Sequence, residues 1–162
     1  MLIFKYDLPM ISDGAAILAH HEGFRLKIYN DATGKPIELP KGENPTVGIG
    51  VNLADGLTYT EAHLLFESRI ADILRMFSLY PWFNNLHEVR KWVCINMAYC
   101  LGMTRFRKFE RTINALQRKD YLDAAKEILD SDFARDERHA TRANQLAQAM
   151  KTGQWDLSLL SR

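Results

Sequence analysis

Long apolar runs are missing from this sequence of 162 residues, since none approaches the ~20 residues that a membrane-spanning helix needs. The first residues are apolar in places, but Asp7 and Asp13 interrupt them, and no basic segment precedes a clean apolar core as it would in a signal peptide. The sequence therefore predicts synthesis in the cytoplasm and no stable membrane insertion. If the substrate lies outside the membrane, another component must let the protein reach it.

Cysteine is also scarce. The chain has two, Cys94 and Cys100, and both fall in the apolar segment KWVCINMAYCLG. A separation of six residues does not place them on one face of a helix, which argues against a disulfide between them or half of a metal site. We expect two buried free thiols, and nothing in the sequence indicates an oxidising compartment.

A strong net charge is absent as well, because the formal total is +1. Residues 1–80 hold 7 Lys and Arg against 10 Asp and Glu, whereas residues 81–162 hold 14 against 10, so the second half carries the positive balance. Its basic residues are densest at Arg105, Arg107, Lys108, Arg111, Arg118 and Lys119. They predict either a solvated helix face or a surface for an anionic polymer such as nucleic acid or bacterial cell wall. The near-neutral total argues against strong nucleic-acid binding.

What is present suits a folded domain, because 47% hydrophobic residues are enough to bury a core in a chain of this length. Ser12 or Asp13 can cap a first helix that ends near Glu22. Leu26 to Tyr29 then reads as a short strand. The segment PTVGIGV reads as a second strand, with the alternating apolar residues Val47, Ile49 and Val51. Together they predict a small antiparallel sheet.

The rest of the sequence has helical periodicity. Thr58 and Glu61 form a capping box before a long amphipathic helix that Pro81 follows. The next helix is apolar over most of its circumference, so we expect it in the middle of a bundle. The helix in YLDAAKEILD is expected to bury its apolar residues Leu122, Ala125 and Leu129.

These elements predict an α+β fold that is mainly α. We expect a single domain in which a β-containing lobe covers about residues 12–60 and a connecting helix covers 60–80. A helical lobe then covers 81–162.

Two carboxylates in unlike surroundings stand in the first part of the chain. Glu22 ends an apolar helix, where the negative end of the helix dipole disfavours an ionised carboxylate, and Asp31 lies in a polar turn that favours one. Hydrolysis of a glycosidic bond uses such a pair, one carboxyl to donate a proton and one to activate water. The sequence spacing of Glu22 and Asp31 does not by itself establish this catalytic role. His20 and His21 beside Glu22 point in different directions, which argues against a metal site.

The segment EGFRLKIYND followed by PTVGIG resembles the signature of the phage-type lysozymes, glycoside hydrolase family 24. Later segments are similar to the family's central helix, to the helix pair after it and to its closing segment: VRKWVCINMAYCLG, FERTINALQRKDYLDAA and ATRANQLAQAMKTGQWD. The similarity runs in order from about Ile17 to Asp156. It implies a lysozyme-like fold, in which a small sheet lobe is joined by a long helix to a helical C-terminal lobe.

The resemblance implies cleavage of the β-1,4 bond between N-acetylmuramic acid and N-acetylglucosamine in bacterial peptidoglycan, without a metal or organic cofactor. Glu22 falls on the family's general acid, and Asp31 and Thr46 fall on the pair that positions a water. We expect inversion, which needs carboxyl groups roughly 6.5 to 9.5 Å apart, and leave retention open. Arg142 falls on the arginine that pairs with the glutamate. Positions that touch sugar in the family are occupied by Asn52, Tyr99 and Thr112.

The sequence also departs from the family's pattern. Asp31 and Thr46 are further apart than in the family's best known member, because the loop over residues 36–45 is extra. This loop is expected to reshape or cover the site, with an effect that the sequence leaves open. Cys100 stands where the family has an amide side chain, and Glu127 replaces an asparagine. The sequence therefore leaves undecided whether Cys100 and Glu127 contact the sugar.

The predicted biological role is that of a phage or prophage endolysin. Such a monomer would wait in the host cytoplasm until a holin-type partner permeabilised the membrane, and would then attack the cell wall from the periplasm. A lytic transglycosylase, which leaves 1,6-anhydro products from the same bond, is the alternative enzyme. One non-enzymatic alternative is a wall-binding or inhibitory module that kept this fold after losing activity, against which the intact Glu22, Asp31 and Thr46 argue. The other is a DNA-binding helical protein that uses the basic residues from Arg105 to Lys119, against which the near-neutral total charge argues.

Overall fold

The structure is a computed structural model, and it describes residues 12–30, 33–39 and 45–161. The elements in chain order are α1 (Asp13–Glu22), β1 (Thr46–Val47), β2 (Val51–Asn52), α2 (Tyr59–Phe77), α3 (Pro81–Asn84), α4 (Glu88–Leu101), α5 (Met103–Phe106), α6 (Glu110–Gln117), α7 (Tyr121–Leu129), α8 (Asp132–Arg135), α9 (Ala140–Thr152) and a 3₁₀ helix, Leu157–Ser161. The predicted fold class, mainly helical with a small antiparallel sheet, is confirmed. Within the described ranges, no helix is long and apolar enough to cross a bilayer.

The chain divides into two compact units, and α2 contains residues of both. The helical unit contains the described residues up to Gly23 together with those from Ile70 onward. The second unit is Phe24–Arg69 and contains the β-strands. The predicted single domain, with lobes at 12–60, 60–80 and 81–162, stays a prediction.

Helix α4 is the centre of the helical unit. Its residues from Val93 to Ala98 are all buried, so this helix has no solvent-facing side over almost two turns. Helices α1, α5 and α9 pack against it, and α9 also packs against α7 and α8. Gly102 ends α4 with a positive φ of 77°, and its N–H donates to the carbonyl oxygen of Ala98. The predicted central position of this helix is confirmed.

Close packing between α1 and α4 depends on a glycine. The indole ring of Trp92 on α4 lies directly over Gly14 in the first turn of α1, where a Cβ atom would overlap the ring. Gly14 is buried, and so are the next residues along α1 through Leu18. The N-terminal half of α1 is therefore anchored in the core of the helical unit.

The helix ends follow the predicted capping chemistry. Ser12 accepts a hydrogen bond from the N–H of Ala15 at 3.3 Å and so caps α1. The Thr58 N–H donates to Glu61 at 2.7 Å while the Glu61 N–H donates back to the Thr58 hydroxyl at 3.2 Å, which is the predicted capping box. Gly153, with a left-handed φ of 72°, follows α9.

In the second unit the sheet is a hairpin. Thr46 pairs with Asn52 and Val47 pairs with Val51. The prediction of one strand through PTVGIGV is wrong, because Gly48 and Gly50 adopt positive φ values of 60° and 77° and turn the chain around Ile49. The strand predicted over Leu26 to Tyr29 is reduced to one bridge, between Tyr29 and Pro36.

The buried face of α7 also differs from the prediction. Leu122 and Leu129 are 64% and 43% exposed, whereas Ala124, Ala125 and Ile128 are buried. Both sets fit a helical period, and the observed one places two small alanines where α7 packs against α6 and α9. The smaller side chains of α7 are thus the ones that lie in the contacts with the neighbouring helices.

Candidate active site

Glu22 is the last residue of α1, as predicted. Gly23 ends the helix with a φ of 72° and donates its N–H to the carbonyl oxygen of Ala19 at 3.1 Å. Because α1 is anchored through its first half, this short helix presents the Glu22 carboxyl group at the edge of the helical unit. About a third of its side chain, 33%, is exposed.

Arg142 of α9 binds this carboxylate. Its Nη2 donates to Oε1 of Glu22 at 2.7 Å, and only 10% of the arginine side chain is exposed. The structure therefore brings together the glutamate and the arginine that the resemblance pairs. A charged hydrogen bond of this kind in a partly buried place is stronger than an exposed ion pair, and it fixes the direction of the carboxyl group.

Both cysteines are free thiols, as predicted, but only Cys94 is buried. Burial raises the pKa of both Cys94 and Cys100. At Cys100 the nearby Arg142 guanidinium lowers the pKa and so offsets part of this rise. The Cys100 Sγ lies 3.8 Å from Nδ1 of His139. At the position where the family has an amide, this chain thus has a protonated, weakly polar group near the Glu22–Arg142 pair.

The helical unit contains a cavity of about 700 Å³, lined by residues between Leu101 and His139. Thr112, which the resemblance places against sugar, lies on its wall and is buried. Glu127 lies there too, with its Oε2 2.8 Å from Nε of Arg111, and Arg111 also contacts Asp130 at 3.2 Å. The sequence pointed to Thr112 and Glu127 individually, but it did not indicate the cavity that both residues line.

The charges around the cavity are balanced. Its lining contains five basic residues, Arg105, Lys108, Arg111, Arg135 and Arg138, and five acidic residues, Glu110, Glu127, Asp130, Asp132 and Asp136. Several form ion pairs with one another, and Arg111 is the member of the basic cluster seen in the sequence that takes part in these pairs. Such a lining presents hydrogen-bonding groups without the one-sided charge that a polyanion requires.

Two more of the predicted residues lie on the hairpin of the second unit. Thr46 on β1 and Asn52 on β2 are directly paired across the strands. The Asn52 side chain accepts a hydrogen bond from the N–H of Ala54 at 2.9 Å, which stabilises the turn after β2. The tight Gly48 to Gly50 turn is thus what places these two residues side by side.

Tyr99 and Asp31 are the remaining predicted residues. Tyr99 lies on α4 in the helical unit and is half-buried. Asp31 lies outside the described residues, as does part of the loop over residues 36–45. The expected separation of the two carboxyl groups and the effect of the loop therefore stay predictions.

Sequence reasoning missed the surroundings of His21. Its ring contacts Asn96 of α4 and Gln145 of α9, so it is neither a metal ligand candidate with His20 nor a solvated side chain. A signal was present, because Asn96 is a polar residue within the apolar segment WVCINMAYCL of α4. A buried amide of that kind requires a polar partner.

The helical unit contains a carboxylate held by an arginine at a helix end and a polar cavity, and the second unit contains a small antiparallel hairpin. Each of these features is consistent with a lysozyme-like fold. The chain is 24% identical over 166 aligned positions to "Probable T4-type lysozyme 2" of Dictyostelium discoideum, covering 89% of this chain and 96% of that protein. It is 25% identical over 145 positions to "Probable T4-type lysozyme 1" of the same organism, covering 86% and 72%.

No protein-family model matches the chain. The two similarities nevertheless extend over most of its length, and they agree with the resemblance found in the sequence. The chain is similar to T4-type lysozymes over most of its length, and it is a hydrolase of the lysozyme class. The prediction of this enzyme class is confirmed.

Proposed function

We propose that this protein cleaves the β-1,4 bond between N-acetylmuramic acid and N-acetylglucosamine in bacterial peptidoglycan, with Glu22 as the general acid. The observation that carries the proposal is the hydrogen bond of 2.7 Å from Arg142 to Glu22 at the end of α1. It supports a functional role because an acid catalyst must have a fixed direction toward the bond that it cleaves. A glutamate that is only solvated at a helix end does not need a buried arginine as its hydrogen-bond partner.

In this proposal the two oxygens of Glu22 have different tasks. Arg142 binds Oε1, so we assign proton donation to the leaving glycosidic oxygen to Oε2. The partial exposure of the side chain leaves a path for a sugar to reach it. The leaving sugar takes the proton, the C1–O bond breaks, and positive charge develops on the ring that keeps C1.

Asp31 and Thr46 are the proposed partners of Glu22. They would hold a water molecule, from which Asp31 removes a proton as the oxygen attacks C1 from the face opposite the leaving group. The product would have inverted configuration. The proposed sugar contacts are Asn52, Tyr99 and Thr112, and the cavity beside Thr112 supports the last of these because its charges are balanced and a glycan is largely uncharged.

The proposed biological role is host cell lysis by a phage or prophage endolysin. The protein would act as a monomer, pass from the host cytoplasm to the periplasm with a holin-type partner, and have a bacteriolytic effect there. Expression without such a partner should leave the host intact, and permeabilising the inner membrane should then cause lysis.

The test compares purified wild type, Glu22→Gln and Thr46→Val on permeabilised Gram-negative cells by loss of turbidity. We expect Glu22→Gln to lower kcat by ~10²–10⁴-fold, since general acid catalysis contributes that much. Thr46→Val keeps the shape of the side chain without its hydroxyl, and it should lower kcat by ~10-fold or more. Glu67→Gln, an exposed glutamate on α2, is the matched control and should retain full activity.

The products separate hydrolysis from the alternative. Mass spectrometry of released muropeptides should show reducing ends, whereas a lytic transglycosylase gives 1,6-anhydro ends that are lighter by one water. Full activity in Glu22→Gln would refute the assignment of the acid, and anhydro products would replace the proposed hydrolysis by the transglycosylase reaction.

A further inference from the structure

His21, next to the proposed acid, is bonded to two other helices. Its Nε2 lies 2.7 Å from Oε1 of Gln145 on α9, and its Nδ1 lies 3.1 Å from Nδ2 of Asn96 on α4. Asn96 is fully buried, with 0% of its surface exposed. A single imidazole thus joins the C-terminal end of α1 to both of these helices within the helical unit.

The partners determine the form of the ring. The Gln145 oxygen can only accept, so Nε2 of His21 carries a hydrogen, and Nδ1 then accepts from the Asn96 amide. This is the neutral Nε2–H tautomer. Burial lowers the pKa of His21, and the nearby Arg142 cation lowers it further, although the hydrogen bond to Gln145 opposes these effects.

The second half of α1 needs such a link. Burial along α1 extends from Gly14 to Leu18, whereas Ala19 is half-buried and His20 is exposed. The last turn of a helix also lacks hydrogen-bond partners for its carbonyl groups and tends to fray. Packing is therefore weaker around Glu22 than along Gly14 to Leu18, and side-chain hydrogen bonds add to it there.

Helix α9 supplies both of the groups that hold this end. Arg142 and Gln145 are three residues apart and so lie on one face of α9. The first binds Glu22 and the second binds His21, which are neighbours on α1. The bond to Asn96 adds a third support from α4.

We propose that His21 is a positioning residue that holds the Glu22 carboxyl group in place through its hydrogen bonds to Asn96 and Gln145. This inference rests on the proposed function of Glu22. With the Asn96 amide oriented as in the structure, the ring does this in its neutral form, because a proton on Nδ1 would face the donating Nδ2 of Asn96. The charged and titratable groups around it are His20 and Glu22 on α1 and Arg142 on α9, and its partner on α4 is uncharged.

The substitutions can remove one link at a time. In His21→Asn the side-chain oxygen can occupy the place of Nδ1 and keep the bond to Asn96, whereas His21→Gln can place its amide nitrogen near Nε2 and keep the bond to Gln145. His21→Ala removes both. His20→Gln is the matched control, since His20 is an exposed histidine on the preceding position.

We expect His21→Ala to lower kcat on isolated peptidoglycan by ~10-fold or more with little change in KM, because the acid is misplaced rather than the sugar unbound. His21→Asn and His21→Gln should each restore part of the loss, and His20→Gln should match wild type. A kcat for His21→Ala equal to wild type would overturn the inference. So would a loss in His21→Ala confined to KM.

NMR provides a second test of the positioning role that does not depend on catalytic activity. Long-range ¹H–¹⁵N spectra at pH 7 should show His21 as the neutral Nε2–H tautomer, and the ¹³Cδ resonance of Glu22 should shift in His21→Ala but not in His20→Gln. A protonated or Nδ1–H ring, or a Glu22 resonance that His21→Ala leaves unmoved, would overturn the positioning role. An inactive wild type with the expected spectra would instead refute the proposed function alone.

Discussion

Three consecutive residues at the end of α1 have different surroundings. His20 is exposed, His21 is bonded to two helices, and Glu22 is paired with Arg142. Successive helical residues point about 100° apart, so neighbours in sequence can face solvent, core and site in turn. The partners of His21 and Glu22 lie 75 to 124 residues further along the chain, so no local pattern identifies them.

At this scale the pH dependence of stability tests the state of His21. Its pKa in the folded protein is lowered from an ordinary value of about 6.5, so the unfolded chain takes up the proton first as the pH falls. The free energy of unfolding should therefore decrease from pH 6.5 down to the folded pKa, with no further loss from this group below that value. Above pH 6.5 its contribution is constant.

The measurement is chemical denaturation of wild type, His21→Gln and His20→Gln at a series of pH values between 7.5 and 4.5. Every other titrating group is shared, so the difference between wild type and His21→Gln isolates this histidine. We expect that difference to change through the stated window and to be flat above it. His20→Gln should follow wild type, and a parallel course of wild type and His21→Gln would contradict the lowered pKa.

At the scale of elements, the sequence predicted what depends on neighbouring residues. The Ser12 cap, the Thr58–Glu61 capping box and the stop at Gly153 all formed, because each is decided within four residues. The apolar circumference of α4 was also sufficient to place it centrally. Positions decided by distant partners were not predictable, such as the face of α7 and the Glu127–Arg111 contact.

For the site, the motif pattern located residues but not their contacts. The resemblance identified Glu22 and Arg142, and their hydrogen bond is present. The hairpin turn at Gly48 and Gly50 was missed because the alternating apolar residues around it also fit a continuous strand. Two glycines flanking a single residue were the better signal there, since both adopt positive φ.

The contact between α1 and α4 gives a prediction at this scale. Replacing glycine by alanine inside a helix ordinarily stabilises a protein by ~0.5–1 kcal/mol. At Gly14 the added methyl group would overlap the Trp92 indole, so we expect Gly14→Ala to destabilise the protein by ~1–3 kcal/mol instead. Thermal and chemical unfolding measure the change.

A double-mutant cycle identifies the cause. In a Trp92→Leu background the ring is gone, and Gly14→Ala should then lose most of its penalty or become stabilising. The same penalty in both backgrounds would mean that the indole is not what excludes the methyl group. Gly14→Ala that is as stable as wild type would contradict the close contact itself.

At the scale of the whole molecule, the two units differ in how much they bury. The buried apolar side chains lie in the helical unit, from Ala15 to Leu18 and from Ile70 onward. Among the described residues of the second unit, 24–30, 33–39 and 45–69, His63 alone is buried, while Val47 and Ile49 of the hairpin are 53% and 103% exposed. A two-stranded hairpin by itself is only marginally stable in water.

Local stability should therefore be uneven, which hydrogen–deuterium exchange of the intact protein can measure. Regions with few buried apolar contacts open with small free energies, whereas central helices exchange only on global unfolding. We expect amides of β1 and β2 to exchange within seconds to minutes and those of Val93 to Ala98 in α4 to be the slowest in the chain. Hairpin protection equal to that of α4 would contradict this.

Adding peptidoglycan fragments should slow exchange in the hairpin if Thr46 and Asn52 bind them as proposed. Helix α4 is already protected to the level of global unfolding. Its exchange should therefore slow only by the amount that binding adds to the stability of the whole protein.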